Sequence, residues 1–298
     1  MHDYLISFLL GIIEGVTEFL PISSTAHLRI AESLLNVSLE SEYWKMYSIV
    51  IQLGAILSLP VYFRERILSL FKTFPRGARG DRTILTHPLT LTLIATAMTA
   101  APALALKKVM SQNLESLTVM GVALIAGGVV MWIVDAMHAR WEQAKPDAPG
   151  NPIRTRQMDE MTLGQAIWIG LCQTAAAVFP GTSRSMSTIA AGQVAGMSRA
   201  AALEFSFFIS IPTMVLATSN ELRDWLSPDV TDAGSTATTQ AVTVTGHEVV
   251  ILAIGFVVSF VVAYASVAWL MHWVRKHGFV PFAIYRIVFG AIVLWWMA

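Results

Sequence analysis

One stretch of this chain is written twice, 159 residues apart, and the repeat limits what the chain can fold into. Gly11-Ile-Ile-Glu-Gly-Val-Thr-Glu-Phe-Leu-Pro21-Ile-Ser-Ser24-Thr reads almost in register with Gly170-Leu-Cys-Gln-Thr-Ala-Ala-Ala-Val-Phe-Pro180-Gly-Thr-Ser183-Arg. Gly11 falls on Gly170, Glu14 on Gln173, Pro21 on Pro180, Ser23 on Thr182 and Ser24 on Ser183. Each copy is an apolar helical run that stops at proline and opens a hydroxyl-rich turn. With 55% hydrophobic residues, 13% charged and a mean hydropathy of +0.59, the chain departs from soluble domains, where charge approaches a quarter. Polar, helix-breaking segments at matching positions of two apolar halves point to a site buried at membrane depth. Zero formal net charge offers nothing for nucleic acid, and the single cysteine, Cys172, excludes an intrachain disulfide framework.

Apolar runs near the ~20 residues that span a bilayer occur at 44–63, 87–106, 116–137, 199–218, 248–274 and 279–297. Segments 3–36 and 161–196 are also apolar, but each is cut near its middle by its proline turn. Lipid does not tolerate the backbone groups such a break leaves unpaired unless protein or water surrounds them. The expected fold is therefore an all-α polytopic membrane protein. It has six transmembrane helices plus two re-entrant helix–turn–helix pairs in an inverted repeat. The single domain, 1–298, divides into repeats at about 1–137 and 161–298, joined by a cytoplasmic linker.

Linkers 64–86, 138–160 and the turn near 275 hold Arg64, Arg66, Lys72, Arg76, Arg79, Arg82, Arg140, Lys145, Arg154, Arg156, Arg275 and Lys276. Loops 37–43, 107–115 and 219–247 hold only Lys107, Lys108 and Arg223. The basic side is thus expected to be cytoplasmic. The two re-entrant pairs then enter from opposite faces, and Trp269, Trp273, Trp295 and Trp296 lie near span ends.

Glu14 and Glu18 share one helix face. A charge at mid-membrane costs ~2.5–3.5 kcal/mol even on the lenient insertion scale, so a shared proton, a cation or a divalent metal must offset it. Ser23, Ser24 and Thr25 supply hydroxyls at a helix start, where one serves as N-cap and free amides favour an anion. His27 follows as an acid, base, nucleophile or metal ligand. The second copy has Gln173 and Ala177 in place of the acids and adds Arg184 beside Thr182, Ser183 and Ser185, a set suited to phosphate. Facing each other at the midplane, the copies would form a metal-plus-arginine phosphate clamp. Gln52 and Glu204 are read as supports for the site or interhelical hydrogen bonds, and Arg286 as the partner of an acid.

Glu14-Gly-Val-Thr-Glu18-Phe-Leu-Pro21-Ile-Ser-Ser-Thr-Ala-His27 and Pro180-Gly-Thr-Ser-Arg184-Ser closely resemble the two signature regions of bacterial undecaprenyl-diphosphate phosphatases of the bacitracin-resistance type. The resemblance covers the chain in length, span order and motif position. It implies hydrolysis of undecaprenyl diphosphate to the monophosphate carrier for cell-wall synthesis. It also implies Mg²⁺ or Ca²⁺ dependence, dimers, a polyprenyl diphosphate substrate, and a site facing the exterior of the bacterial inner membrane. Carried over by position, the functional residues are Glu14, Glu18, Ser24, Thr25, His27, Ser183 and Arg184, with Ser23 and Thr182 beside them. Ala26 and Met186 stand where the family favours glycine and a small residue.

On that resemblance Glu14 and Glu18 hold the metal, and Arg184 neutralises the transferred phosphoryl group. Either His27 attacks phosphorus or it moves protons for Ser24 or water. The rival from another class is a secondary transporter or flippase of lipid phosphate, which shares broken helices and inverted repeats. A Lys-x₆-Arg-Pro element and a Pro-Ser-Gly-His element, marks of the acid-phosphatase superfamily, are absent.

Overall fold

A computed structural model describes residues 2–37, 42–106, 109, 116–143, 150–226 and 245–297. Among these residues there is no strand, only an isolated bridge between Thr155 and Met197. The helices are α1 (His2–Thr17), α2 (Ser24–Leu34), α3 (Glu42–Tyr62), α4 (Arg64–Thr73), α5 (Pro88–Ala105), α6 (Leu117–Gln143), α7 (Leu163–Val178), α8 (Arg184–Val194), α9 (Arg199–Leu226), α10 (Gly246–His277) and α11 (Val280–Met297). A 3₁₀ turn spans Met158–Glu160. By length and composition five helices can cross a membrane: Tyr43–Tyr62, Pro88–Ala105, Leu117–Glu142, Arg199–Arg223 and Gly246–His277. Both proline turns break their helices, α1 from α2 and α7 from α8, and each pair folds back on itself.

The packing repeats itself. α1 lies on α10 and α10 on α3, while α7 lies on α5 and α5 on α9; α3 meets α9, and α6 meets α11. Small residues make the equivalent crossings close, as interhelical packing in lipid requires. A Cβ on Gly11 would reach Gly255 O at 2.9 Å and the Val258 Cβ at 3.1 Å. One on Gly170 would crowd Ala95 O and reach the Met98 Cβ at 2.9 Å. The backbone turns repeat as well: Ser23 and Ser183, the residues before α2 and α8, both have left-handed φ, +76° and +69°.

This alignment differs from the sequence register. Ser23 matches Ser183 and Ser24 matches Arg184, because Gly181 is an extra residue in the second turn. Gly181 adopts φ +92° with the Met120 backbone where a side chain would project, a place only glycine fills without strain.

The basic stretch 64–86 is not merely a linker. Its first part forms α4, which buries Leu70. Arg66 pairs with Glu204 at 2.9 Å and with Asp159 at 2.8 Å, so Glu204 ties α4 to α9 and does not support the site. At the start of α5, the buried His87 caps the helix, its Nδ1 accepting from the Leu89 N–H. Asp135 of α6 takes Arg199 Nε at 2.7 Å, the Gln193 amide and the Phe279 N–H. Loop 107–115, apart from Val109, and most of loops 37–43 and 219–247 lie outside the described residues, together with Lys107, Lys108 and Lys145; residues 219–226 continue α9.

Candidate active site

The two turns meet at Glu18. Its amide bonds Glu14 O at 3.0 Å, so the carboxylate still projects from the end of α1. Ser24 Oγ, from the first residue of α2, donates a short hydrogen bond to Oε2. Arg184 Nη2, from the first residue of α8, reaches Oε1 at 3.3 Å. Ser185 Oγ approaches the Glu18 carbonyl at 3.5 Å. Both members of the ion pair are nearly enclosed, with side chains 6% and 14% exposed. Arg184 Nη1 is buried without a hydrogen-bond partner.

Glu18, Ser24 and Arg184 line a cavity of about 210 Å³, together with Ser23, Thr25, Ser183, Gln52, Thr99, Gln173 and Thr213. Gln173 donates to Thr99 and Thr213, both at 3.2 Å, while its carbonyl oxygen is buried and unpaired. Gln52 accepts from Thr218 at 3.4 Å. Ala177 occupies the Glu18 position of the second copy and also faces the cavity.

Two helices therefore begin at one cavity, presenting N-terminal amides and the positive ends of their dipoles, a setting that favours anions. They are not equivalent. Ser183 caps α8 by accepting from the Met186 N–H, whereas Ser23 makes no capping bond, so its hydroxyl and the first amides of α2 are left uncapped. Two unusual left-handed serines at one site fit the clustering of backbone strain at functional positions.

Glu14 is buried behind Glu18 and does not line the cavity. Its carboxyl lies against that of Glu18, and neither of its oxygens receives a donor. Among the described residues no group of three or more His, Cys, Asp or Glu side chains converges. A cation here would rest on two glutamates, with hydroxyls, water and substrate oxygens completing the shell, the manner in which Mg²⁺ is commonly held. The orphaned oxygens of Glu14 fit such an ion.

His27 and Thr182 point elsewhere. The His27 ring stacks on Phe289 at 4.2 Å between centroids and on Tyr285 at 5.6 Å. Its Nδ1–H donates to Ser23 O and its Nε2 accepts from the Tyr285 hydroxyl, both at 2.7 Å. It thus braces the first turn from outside the cavity. Thr182 turns away as well, presenting its carbonyl to Arg286.

Arg286 is the residue whose role the sequence misassigned. It is fully buried in α11 and, among the described residues, pairs with no acid. Its guanidinium donates to Pro21 O at 3.2 Å, Gly181 O at 3.1 Å, Thr182 O at 2.9 Å and Ala123 O at 3.2 Å. A helix stopped by proline leaves carbonyls without partners, and one cation satisfies them in both turns. An arginine in an otherwise apolar span was the available signal, read toward the wrong partner.

The family model described as bacitracin resistance protein BacA matches residues 7–292. An undecaprenyl-diphosphatase of Koribacter versatilis is 59% identical over 99% of both chains. Undecaprenyl-diphosphatase 1 of Frankia alni is 36% identical, covering 96% of this chain and 93% of its own. Undecaprenyl-diphosphatase 1 of Streptomyces avermitilis is 37% identical at the same coverage. With several membrane-crossing helices and a near full-length match, the chain is a multi-pass membrane protein and belongs to the BacA family.

Proposed function

We infer that this protein is an undecaprenyl-diphosphate phosphatase. It releases the terminal phosphate and returns the monophosphate lipid to cell-wall synthesis, an activity that confers bacitracin resistance. Near full-length relatedness to undecaprenyl-diphosphatases supports the activity. The observation that carries the site is the contact of Ser24 and Arg184, one from each turn, with the carboxylate of Glu18.

In this reading the diphosphate enters the cavity over the N-termini of α2 and α8. Arg184 Nη1, without a partner now, takes an oxygen of the terminal phosphoryl group, while Nη2 keeps Glu18 oriented. Ser24 Oγ attacks the terminal phosphorus and passes its proton to Glu18, the arrangement of a nucleophile beside an oriented base. The new O–P bond replaces the bridging P–O bond, and undecaprenyl phosphate leaves with the proton that Glu18 took from Ser24, which frees Glu18 as a base again. Water then attacks the phosphoserine with Glu18 as base; inorganic phosphate departs and the Ser24 hydroxyl is restored. Ser23, Thr25 and Ser183 hold phosphate oxygens, and His27 positions the first turn. Glu14 and Glu18 would hold Mg²⁺ or Ca²⁺, which would neutralise phosphate charge when bound.

The wider arrangement is six crossings and two re-entrant pairs in inverted repeats, 1–137 and 161–298. α11, at 18 residues, extends about 27 Å at 1.5 Å per residue, close to the hydrocarbon thickness of a bilayer. The reciprocal helix contacts support the repeat. The arginines of α4 and of the segment before α7 support a cytoplasmic basic side, with the cavity opening toward the exterior of the inner membrane.

Phosphate release from undecaprenyl diphosphate by detergent-purified protein, with Mg²⁺ or Ca²⁺ and with chelator, tests the activity. Metal-dependent release is expected, together with an acid-stable phosphoserine at position 24 in quenched single turnover. A folded protein that binds the lipid and releases nothing would favour the transporter reading.

A further inference from the structure

A second, larger cavity of about 740 Å³ lies between α6, α7 and α8, lined almost wholly by apolar atoms. It shares a wall with the polar site: Phe179, Thr182 and Met186 face this groove, while Pro180, Gly181, Ser183 and Arg184 face the polar cavity. One turn therefore separates a site for charge from a trough for hydrocarbon.

The pseudo-symmetric counterpart of the groove is filled. α6 and α11 cross at reciprocal points: a Cβ on Gly290 would reach Gly121 O at 2.8 Å, and one on Gly121 would reach Gly290 O at 3.4 Å. Gly128 faces Ala283 O at 2.9 Å in the same way. Exchanging the helices so that these crossings superpose sets Ala123 against Tyr285 and Gly127 against Phe289. The turn register sets Ser187 against His27. Beside the first turn Tyr285, Phe289 and His27 stack into a solid aromatic wall. Beside the second turn the three equivalents are alanine, glycine and serine, all lining the open groove. A Cβ on Gly127 would meet the Met186 terminal methyl at 2.7 Å, so the floor also excludes larger side chains.

We propose that this groove is the seat of the substrate's polyprenyl chain, entered past Thr182 from the turn that holds the diphosphate. The proposal rests on the phosphatase reading. Its occupant is the substrate tail and not bulk acyl chain, because the trough ends at the wall of the polar cavity, where only a lipid bearing a diphosphate fills both at once. Chain length then enters recognition through ground-state binding, so its loss appears in KM with little change in kcat.

The test pairs Ala126→Trp and Ala175→Trp, which fill the groove from exposed positions on α6 and α7, with Val261→Trp on the exposed face of α10 as control. Kinetics are measured with undecaprenyl diphosphate and with farnesyl diphosphate, whose chain is too short to fill the trough. The groove variants are expected to raise KM for the long substrate about tenfold, equivalent to about 1.4 kcal/mol, and to leave the short one within about twofold. Equal effects on both substrates, or none on either, would overturn the seat. Should the tryptophan variants fail to fold, wild-type protein is photolabelled with a polyprenyl diphosphate carrying a diazirine in its tail. Adducts within 118–134 and 168–194, displaced by undecaprenyl diphosphate but not by phosphatidylglycerol, are expected; displacement by both identifies a bulk-lipid crevice and overturns the seat. Absence of phosphate release by wild type would overturn the phosphatase reading instead, and the labelling would still decide the groove.

Discussion

The two proline turns share a backbone and almost nothing else. Both follow an apolar helix, both pass through a left-handed serine, and both open a helix of 11 residues. The first carries Glu14, Glu18 and the uncapped Ser23; the second carries Gln173, Ala177 and Arg184. Had both copies kept acids, the cavity would hold buried like charges, which resist ionisation together. Had both kept arginine, the site would lack a base. Divergence at matched positions gives Glu18 a cation from one turn and a hydroxyl from the other. The lesson is that a repeated scaffold supplies geometry, and its asymmetry supplies chemistry.

That comparison can be broken at several points. Ser24→Ala removes the hydroxyl bonded to the Glu18 carboxylate, and turnover is expected to fall about a thousandfold or more, with substrate binding largely retained. Near-normal phosphate release would return the nucleophile to water. Arg286→Met strips the cation shared by both turns. Charge-assisted hydrogen bonds contribute roughly 1.5–3 kcal/mol each, and the variant is expected to lose about 3 kcal/mol of stability and about tenfold in kcat. Thermal unfolding in detergent beside phosphate release measures both, and Arg286→Lys should recover part of each.

His27→Gln tests whether the aromatic wall braces or reacts. An amide can still bond Ser23 O, so a loss below about tenfold is expected, and a loss equal to that of Ser24→Ala would make His27 a participant. The smallest contrast is between the serines. Ser23→Gly relieves a left-handed residue that caps nothing and should stabilise by up to about 1 kcal/mol. Ser183→Gly relieves the same strain but loses a cap, which costs a few tenths of a kcal/mol against glycine, so it should stabilise by slightly less than Ser23→Gly.

Much of this was legible beforehand for a physical reason. Hydropathy and proline report local events, so the broken helices, the apolar spans and the acid and arginine positions could be read directly. Features made by contact between distant segments could not. The one-residue slip at Gly181 is invisible in a string where Pro21 and Pro180 align, and it moves Arg184 into the place of Ser24. Arg286 lies 265 positions from Pro21, and nothing local distinguishes an arginine that binds carbonyls from one that binds an acid. The sequence groups His27 with the site because it follows the hydroxyl turn near the two glutamates, yet its ring is held by contacts with Tyr285 and Phe289, distant in sequence on α11. α4 was hidden because its exposed basic face outweighs the single buried Leu70 in any hydropathy count.

The central claim is that the two turns form one catalytic unit at Glu18, and a double-mutant cycle tests it most directly. Phosphate release from undecaprenyl diphosphate is measured for wild type, Glu18→Ala, Arg184→Ala and the double variant under saturating Mg²⁺. Each single change is expected to cost about a thousandfold, and the double change no more than either alone, since groups that act as a unit are not additive. Near-wild-type turnover by Arg184→Ala, or losses that multiply in the double variant, would contradict the account.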